Sequence, residues 1–119
     1  MPSVAIIGAS TNREKYGNRA VRAYVRQGWT VYPVTPFATA VEGLKTFDTI
    51  EDIPEAVDRA SLYLPPHVGI TVLPGIAAKH VAELWVNPGA ESDELLAAAE
   101  KLGIPVVQAC SIVDIGERP

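Results

Sequence analysis

The sequence has little cysteine, no long apolar stretch and no excess of basic residues, and each shortage excludes a class of protein. One cysteine in 119 residues excludes an internal disulfide framework and a metal site built on cysteine pairs. No apolar run approaches the roughly 20 residues of a transmembrane helix, and residues 1–7 lack the pattern of a secretory signal. The formal charge of −4 argues against a general nucleic-acid-binding surface. We therefore expect a cytoplasmic protein that binds neither membranes nor nucleic acid.

The composition that remains is that of a folded globular chain. Hydrophobic residues make up 48% of it and charged residues 20%, which excludes a disordered protein. No linker, internal repeat or low-complexity segment divides the sequence. A length of 119 residues is typical of one domain, so we expect a single domain over residues 1–119. That length is short for an enzyme that carries its own substrate domain.

The spacing of apolar residues and turn residues predicts alternating strands and helices. Strands are predicted over residues 4–7, 29–34, 58–64, 83–86 and 105–109, and helices over residues 18–27, 67–80 and 91–102. The helix over 67–80 is expected to break or restart at Pro74-Gly75. Residues 41–48 are predicted as a short extended piece, and 49–56 as one or two helical turns. The order predicts an α/β fold, a Rossmann-like three-layer domain with a five-stranded parallel sheet.

The end of the first predicted strand has the composition of a phosphate site. Ligands of open parallel sheets bind where the strands end. Here Gly8-Ala9-Ser10 allows close backbone approach, and the following helix offers unpaired N–H groups. Arg13 and Lys15 add positive charge, and five of the ten basic residues fall within positions 13–26. The alternative interpretation is a tight turn beside a solvated basic helix face.

The common dinucleotide-binding patterns are missing. The fingerprint G-x-G-x-x-G needs a glycine where Ser10 stands, and no Gly-Lys-Ser/Thr of a P-loop occurs. The second strand end, residues 33–37, has neither the acid that binds the NAD ribose nor the arginine of an NADP site. It suits an adenine or another flat group that packs on backbone and apolar atoms, or it is a plain proline-rich turn.

The other strand ends show no catalytic arrangement. Leu64-Pro65-Pro66 is apolar and lacks the aspartate of a phospho-acceptor receiver domain, and Asn87-Pro88-Gly89 offers an amide and a glycine turn. We therefore predict no catalytic and no metal-ligating residue. Cys110 follows the fifth strand, where an inert thiol is the common state and reaction with a ligand thiol is the alternative. His67 and His80 are expected at the surface or in a helix cap.

Four segments, in this order and spacing, carry a family resemblance over nearly the whole chain. They are Val4–Ser10 with Lys15, Val31–Pro36, Tyr63–Pro66 and Leu84–Gly89. The sequence resembles small stand-alone CoA-binding domain proteins. These are related to the N-terminal domain of the succinyl-CoA synthetase alpha subunit and of NDP-forming acyl-CoA synthetases. The resemblance implies a ligand, coenzyme A, bound at the strand ends.

The resemblance also implies a role for each strand end. The phosphates would contact Gly8, Ala9, Ser10 and Lys15, and the nucleotide would contact Pro33, Val34, Thr35 and Pro36. Leu64, Pro65 and Pro66 would flank the ligand. The pantetheine would lie near Asn87 and Gly89. The diphosphate and 3′-phosphate of CoA would account for the local basic cluster.

Two departures from the family pattern concern the ends of the second and the last strand. Thr35 replaces the asparagine of the usual Pro-Val-Asn-Pro, and Gln108-Ala109-Cys110 keeps only the cysteine of Asp-Arg-Cys. The second domain of the synthetases is absent from this sequence. The leading hypothesis is therefore a module that binds CoA or an acyl-CoA without catalysis. The alternatives are an NAD(P)-binding oxidoreductase-type domain and a regulatory or structural subunit with a vestigial site, whose protein partner the sequence does not identify.

Overall fold

Strands and helices alternate along the chain in the computed structural model, which describes residues 2–119. The strands are β1 (Ser3–Ile7), β2 (Thr30–Val34), β3 (Ala40–Val41), β4 (Leu44–Lys45), β5 (Arg59–Leu62), β6 (Glu83–Val86) and β7 (Val106–Val107). The helices are α1 (Tyr16–Arg26), α2 (Pro66–Lys79), α3 (Asp93–Lys101) and α4 (Ser111–Asp114), and a 3-10 turn covers Ile50–Asp52.

Five of the strands form one parallel sheet in the order β2-β1-β5-β6-β7, which confirms the predicted fold class. Ile7 at the end of β1 pairs with Val34 on one side and with Leu62 on the other, so neighbouring strands end at the same level. From β1 the chain moves outward to β2 and then returns to the other side as β5. The topological switch point, where a crevice opens, therefore lies between β1 and β5.

β1 is an interior strand of the sheet because both of its faces are apolar. Ala5 and Ile7 contact one core cluster, which includes α2 and α3 residues, while Val4 and Ile6 contact a second cluster with α1 and α4 residues. All five strand residues are buried. A continuous apolar run is thus explained by helices on both faces, as is usual for parallel sheets.

The predicted break at Pro74-Gly75 is wrong, since α2 runs without interruption from Pro66 to Lys79. A proline inside a helix removes one backbone hydrogen bond and costs about 3 kcal/mol. Leu73 and Ile76, on either side of Pro74, are fully buried in the core. Each buried side chain of that size contributes about 2 kcal/mol, which offsets the cost of the proline.

Two further elements differ from the prediction. Residues 41–48 were expected as one extended piece, but β3 and β4 form a hairpin whose turn, Glu42-Gly43, has φ values of 50° and 77°. Phe47 then lies along the edge of β2, where its backbone exchanges hydrogen bonds with Pro33 and Thr35. The short α4 was not predicted, because four residues are too few to show helical periodicity. Within residues 2–119, no helix is long and apolar enough to cross a membrane.

Candidate functional site

A cavity of about 1270 Å³ lies at the carboxyl edge of the sheet. It is lined by the residues that follow β1, β2, β5 and β6, and by parts of α1, α2 and α4. Eleven of the fourteen residues predicted for the binding site line it, namely Gly8, Ala9, Ser10, Lys15, Val34, Thr35, Pro36, Leu64, Pro65, Asn87 and Gly89. The cavity is large for a small-molecule site, so an extended ligand fits it better than a compact one.

Arg13, Pro33 and Pro66 lie outside the lining. Pro33 is a buried residue of β2, and Pro66 is the first residue of α2. The Arg13 side chain lies 3.7 Å from the Glu42 carboxylate. Of the cationic side chains in residues 2–119, only Lys15 lines the cavity.

The turn after β1 is held by close backbone contacts on two sides. Gly8 has a φ of +92°, and a Cβ there would lie 3.0 Å from the Tyr63 carbonyl carbon. A Cβ at Gly17 would lie only 2.1 Å from the Gly8 carbonyl oxygen. The Gly8 and Ala9 N–H groups donate to the Val34 carbonyl, at 3.1 and 3.3 Å. Glycine at both positions therefore lets the start of α1 pack directly on the turn.

The start of α1 has no negative group of its own. Lys15 is the N-cap residue, its side chain caps no backbone N–H, and the first turn contains no acid within this described helix. Helices usually begin with a serine, threonine, aspartate or asparagine that accepts these hydrogen bonds. Lys15, Tyr16 and Gly17 all line the cavity. The positive end of the helix dipole and the Lys15 ammonium therefore face a space where an anion would be stabilised.

Of the remaining basic residues of positions 13–26, two arginines hold parts of the fold together, and Arg19 lies over the ring of Tyr16, which lines the cavity. Arg22 donates to the Asn18 side chain at 2.8 Å and to the Arg13 carbonyl at 2.7 Å, which fixes the loop before α1. The Asn18 amide in turn donates to the Ser10 carbonyl at 2.9 Å. Arg26 pairs with Glu117 at 2.8 Å. The sequence predicts one basic cluster. In the structure only Lys15 of this cluster lines the cavity, while Arg22 stabilises the loop before α1 and Arg26 forms an ion pair at the end of α1.

Exposed apolar side chains surround the cavity, and sequence reasoning did not assign most of them. Six large hydrophobic residues of the described chain are exposed, and four of these line the cavity: Tyr16, Phe37, Val68 and Val113. Phe37 has 94% of its surface exposed. Its N–H donates to the Thr35 hydroxyl at 3.2 Å, which shapes the loop after β2. Because the Phe37 ring is hardly buried by the rest of the chain, it is available to contact a ligand.

A buried polar network lies under the opposite end of the cavity. Asn87 is 2% exposed, its amide nitrogen donates to Ser61 at 2.9 Å, and its oxygen accepts from the Ser111 N–H at 2.9 Å. The Ser111 hydroxyl lies 2.7 Å from that of Ser61 and 3.2 Å from that of Tyr63. Burial raises the pKa of Tyr63 to about 12, so its phenol stays neutral. Asn87 therefore holds α4 in place, and both hydrogens of its amide are engaged within the protein.

Arg59 anchors α4 from the amino end of the sheet. Its guanidinium carbon lies 4.9 Å from the centre of the Trp29 ring and 4.6 Å from that of the Trp85 ring. Its nitrogens pair with Glu83 and Asp114, each at 2.8 Å. The two tryptophans thus pack on the Arg59 guanidinium, and Cys110, just before α4, lines the cavity.

No metal centre is found in the part of the chain that the structure describes, since no three His, Cys, Asp or Glu side chains lie close enough to share an ion. His67 and His80 are exposed, and His80 ends α2 in a left-handed conformation with a φ of 55°. Both histidines therefore lie where the sequence placed them, at the surface and in a cap.

The fold and the cavity define a class of protein, a Rossmann-like α/β domain with a cavity at the switch point of its sheet. Residues 2–116 match the family described as CoA binding domain. The chain therefore belongs to the CoA binding domain family, which confirms the resemblance predicted from its strand-end motifs.

Curated relatives are much longer than this chain. It is 33% identical over 94 residues to the ADP-forming acetate–CoA ligase II of Archaeoglobus fulgidus. The matched region covers 77% of this chain and 14% of the ligase. It is also 35% identical over 63 residues to the alpha subunit of the ADP-forming acetate–CoA ligase II of Pyrococcus furiosus. That matched region covers 52% of this chain and 14% of the subunit. The similarity is thus to one small part of each ligase.

Solved structures include relatives of both sizes. A conserved hypothetical protein from Pyrococcus furiosus is similar over 96% of this chain and 99% of its own, with a TM-score of 0.87 and 33% identity. The dinucleotide-forming acetyl-coenzyme A synthetase 1 of Candidatus Korarchaeum cryptofilum, solved with phosphate and ADP, is similar over 90% of this chain and 25% of its own. Its TM-score is 0.79 and its identity 27%.

Proposed function

We propose that the cavity binds coenzyme A or an acyl-CoA, and that this chain holds the ligand without catalysing a reaction on it. The observation that carries the proposal is the start of α1, where an uncapped helix and Lys15 face the cavity. Membership of the CoA binding domain family supports a CoA phosphate as this anion.

The diphosphate fits the turn after β1. Tyr16 and Gly17 belong to the first turn of α1, where backbone N–H groups have no partner within the helix. An anion placed there gains hydrogen bonds from the backbone and charge attraction from Lys15. The glycines at positions 8 and 17 let the start of α1 pack directly on the turn, so that both segments line the same part of the cavity.

The nucleotide fits the space beyond β2. In Rossmann-like domains the nucleoside lies toward the end of the second strand. Here that end offers Pro36 and the exposed ring of Phe37, on which an adenine would stack. The acids that line the cavity, Asp48 and Glu51, come from the segment after β4 and not from the end of β2. The NAD(P) alternative therefore lacks an acid within residues 33–37, where the ribose-binding residue usually stands.

The pantetheine fits the remaining part of the cavity, along Leu64, Pro65 and Gly89 toward Cys110. These residues are apolar or small, so they can pack along the flexible pantetheine chain. No pair of acid and base side chains within the described lining faces this part of the cavity, because the polar groups of Tyr63 and Asn87 are engaged with Ser61 and Ser111. We therefore assign this chain a binding role, with chemistry left to a separate catalytic domain or partner.

Isothermal titration calorimetry tests the proposal. CoA, adenosine 3′,5′-bisphosphate, pantetheine and NAD⁺ are titrated into the wild-type chain and into Lys15→Ala. Loss of a charged phosphate contact should weaken CoA binding about ten-fold and leave pantetheine binding unchanged. Lys101→Ala is the matched control, because Lys101 is an exposed residue at the end of α3 outside the cavity. No heat with millimolar CoA, or tighter binding of NAD⁺ than of CoA, would contradict the proposal.

A further inference from the structure

We infer that this chain selects among acyl-CoAs by charge, so that it accepts an uncharged acyl group and discriminates against an acyl group that ends in a carboxylate. The selection rests on the proposed function, since it concerns the end of the same cavity that would hold the acyl group.

The position of the acyl end follows from the two fixed ends of the ligand. The phosphates lie at α1 and the nucleotide lies toward Phe37, on the β2 side. The thioester must then lie on the opposite side, between the end of β6 and α4. Gly89, Cys110 and Val113 line the cavity there.

This side of the cavity has no cation. The charged side chains in the described lining are Lys15, Asp48 and Glu51, and none of them follows β6 or belongs to α4. The β6 and α4 side is lined instead by apolar or weakly polar residues: Leu64, Val68, Pro88, Ala90, Cys110 and Val113. A carboxylate moved from water into such surroundings loses hydration and finds no opposite charge.

The polar side chains under this wall are already engaged. The Asn87 amide donates to Ser61 and to the Leu62 carbonyl at 3.0 Å, and its oxygen accepts from Ser111. The Tyr63 hydroxyl forms a hydrogen bond with the Ser111 hydroxyl, with the two oxygens 3.2 Å apart. A carboxylate on the acyl group would compete for these side chains with the network that holds α4.

A negatively charged side chain, Glu91, contacts the lining on this side. A Glu91 carboxylate oxygen accepts from the Gly89 N–H at 2.9 Å, so it occupies a backbone donor in the lining. Asp114 of α4 also carries a carboxylate, which pairs with Arg59. A terminal acyl carboxylate would therefore meet repulsion from Glu91 in addition to the loss of water. By contrast, an alkyl acyl group would cover the exposed side chains of Val68 and Val113.

Matched acyl-CoA pairs test the inference by calorimetry. Propionyl-CoA is compared with malonyl-CoA, and butyryl-CoA with succinyl-CoA, because the members of each pair differ mainly in the terminal group. We expect the uncharged member of each pair to bind at least about ten-fold more tightly, since the carboxylate is desolvated without a partner.

Two variants should change this preference in a stated direction. Val113→Lys places a cation in the wall at a residue that is 58% exposed, so it should raise the affinity for succinyl-CoA relative to butyryl-CoA. Val25→Lys is the control, since Val25 is 50% exposed on α1 and lies outside the cavity. Glu91→Gln keeps an oxygen acceptor for the Gly89 N–H and removes the negative charge. This variant should therefore reduce the difference in affinity between malonyl-CoA and propionyl-CoA.

The outcomes separate the two proposals. If CoA binds but the charged and uncharged members of each pair bind equally, charge selection is overturned and CoA binding stands. Tighter binding of the charged members would overturn it as well. If CoA and all four acyl-CoAs fail to bind, both the selection and the proposed function are wrong. A Val113→Lys variant that binds succinyl-CoA no better than Val25→Lys does would also contradict the assignment of the acyl end.

Discussion

Replacing Gly17 with alanine should destabilise the chain at the point where the cavity is built. Gly17 is buried in the first turn of α1, and a Cβ there would lie 2.1 Å from the Gly8 carbonyl oxygen and 3.3 Å from the Ala9 Cα. Ordinary contacts of a Cβ begin at 3.4 Å, so α1 and the turn after β1 must separate by more than an ångström. Both contacts are with backbone atoms, which cannot rotate away.

The size of the effect follows from two opposed contributions. Alanine is favoured over glycine inside a helix by about 1 kcal/mol. Forcing an extra methyl group into a close-packed contact costs about 1–3 kcal/mol when side chains can adjust, and more when only backbone can move. We expect a net loss of about 2 kcal/mol in the free energy of unfolding, which lowers Tm by about 8 °C in a chain of this length. CoA affinity should fall as well, because Gly8 and Ala9 line the cavity.

Gly75→Ala provides the matched control for Gly17→Ala. A Cβ at Gly75 would lie 2.7 Å from the Glu51 Oε1 atom, which is the end of a flexible side chain. That substitution should leave the stability unchanged or raise it, because Glu51 can turn aside while the helix gains alanine. Differential scanning calorimetry and urea unfolding measure both variants. A Gly17→Ala chain that is as stable as wild type, or that gains stability as Gly75→Ala does, would refute the close-contact explanation.

Two further predictions concern the groups that hold α4. Burial raises the pKa of Tyr63 to about 12 from 10.0, so the stability that its neutral form contributes is complete below about pH 10 and declines as the pH rises toward 12. Urea unfolding at several alkaline pH values should show that decline in wild type and a smaller one in Tyr63→Phe. Arg59→Lys should cost about 1–2 kcal/mol of stability, because lysine cannot stack between Trp29 and Trp85 and pair with two carboxylates at once. Arg26→Lys, at a more exposed ion pair, should cost less than about 0.5 kcal/mol, and equal losses in the two variants would contradict the anchoring role.

The sheet and most of the cavity could be predicted because their causes are local in the sequence. An apolar run closed by Gly8 predicts a buried strand with a turn at its end, and the same logic applies to the segments before Leu64 and Asn87. Parallel strands end at one edge of a sheet, so residues from distant parts of the sequence meet there without further information. The lack of an acid within residues 33–37 is likewise visible in the sequence.

The remaining features depend on contacts between distant residues. Pro74 continues α2 because the core buries Leu73 and Ile76, which no local pattern shows. The direction of Arg13 depends on Glu42, which lies in a hairpin turn that was not predicted. Asn87 was expected to lie near the ligand, and it does line the cavity, but its amide is engaged with Ser61 and Ser111.

Native mass spectrometry of the chain in an equimolar mixture of CoA and NAD⁺ tests the central claim most directly. The account predicts one peak at the mass of the chain with a single CoA and a much weaker one with NAD⁺. In Gly17→Ala and Lys15→Ala the CoA peak should shrink, while in Lys101→Ala it should keep the wild-type intensity. A spectrum of the bare wild-type chain alone, or one in which NAD⁺ is the bound ligand, would contradict the account.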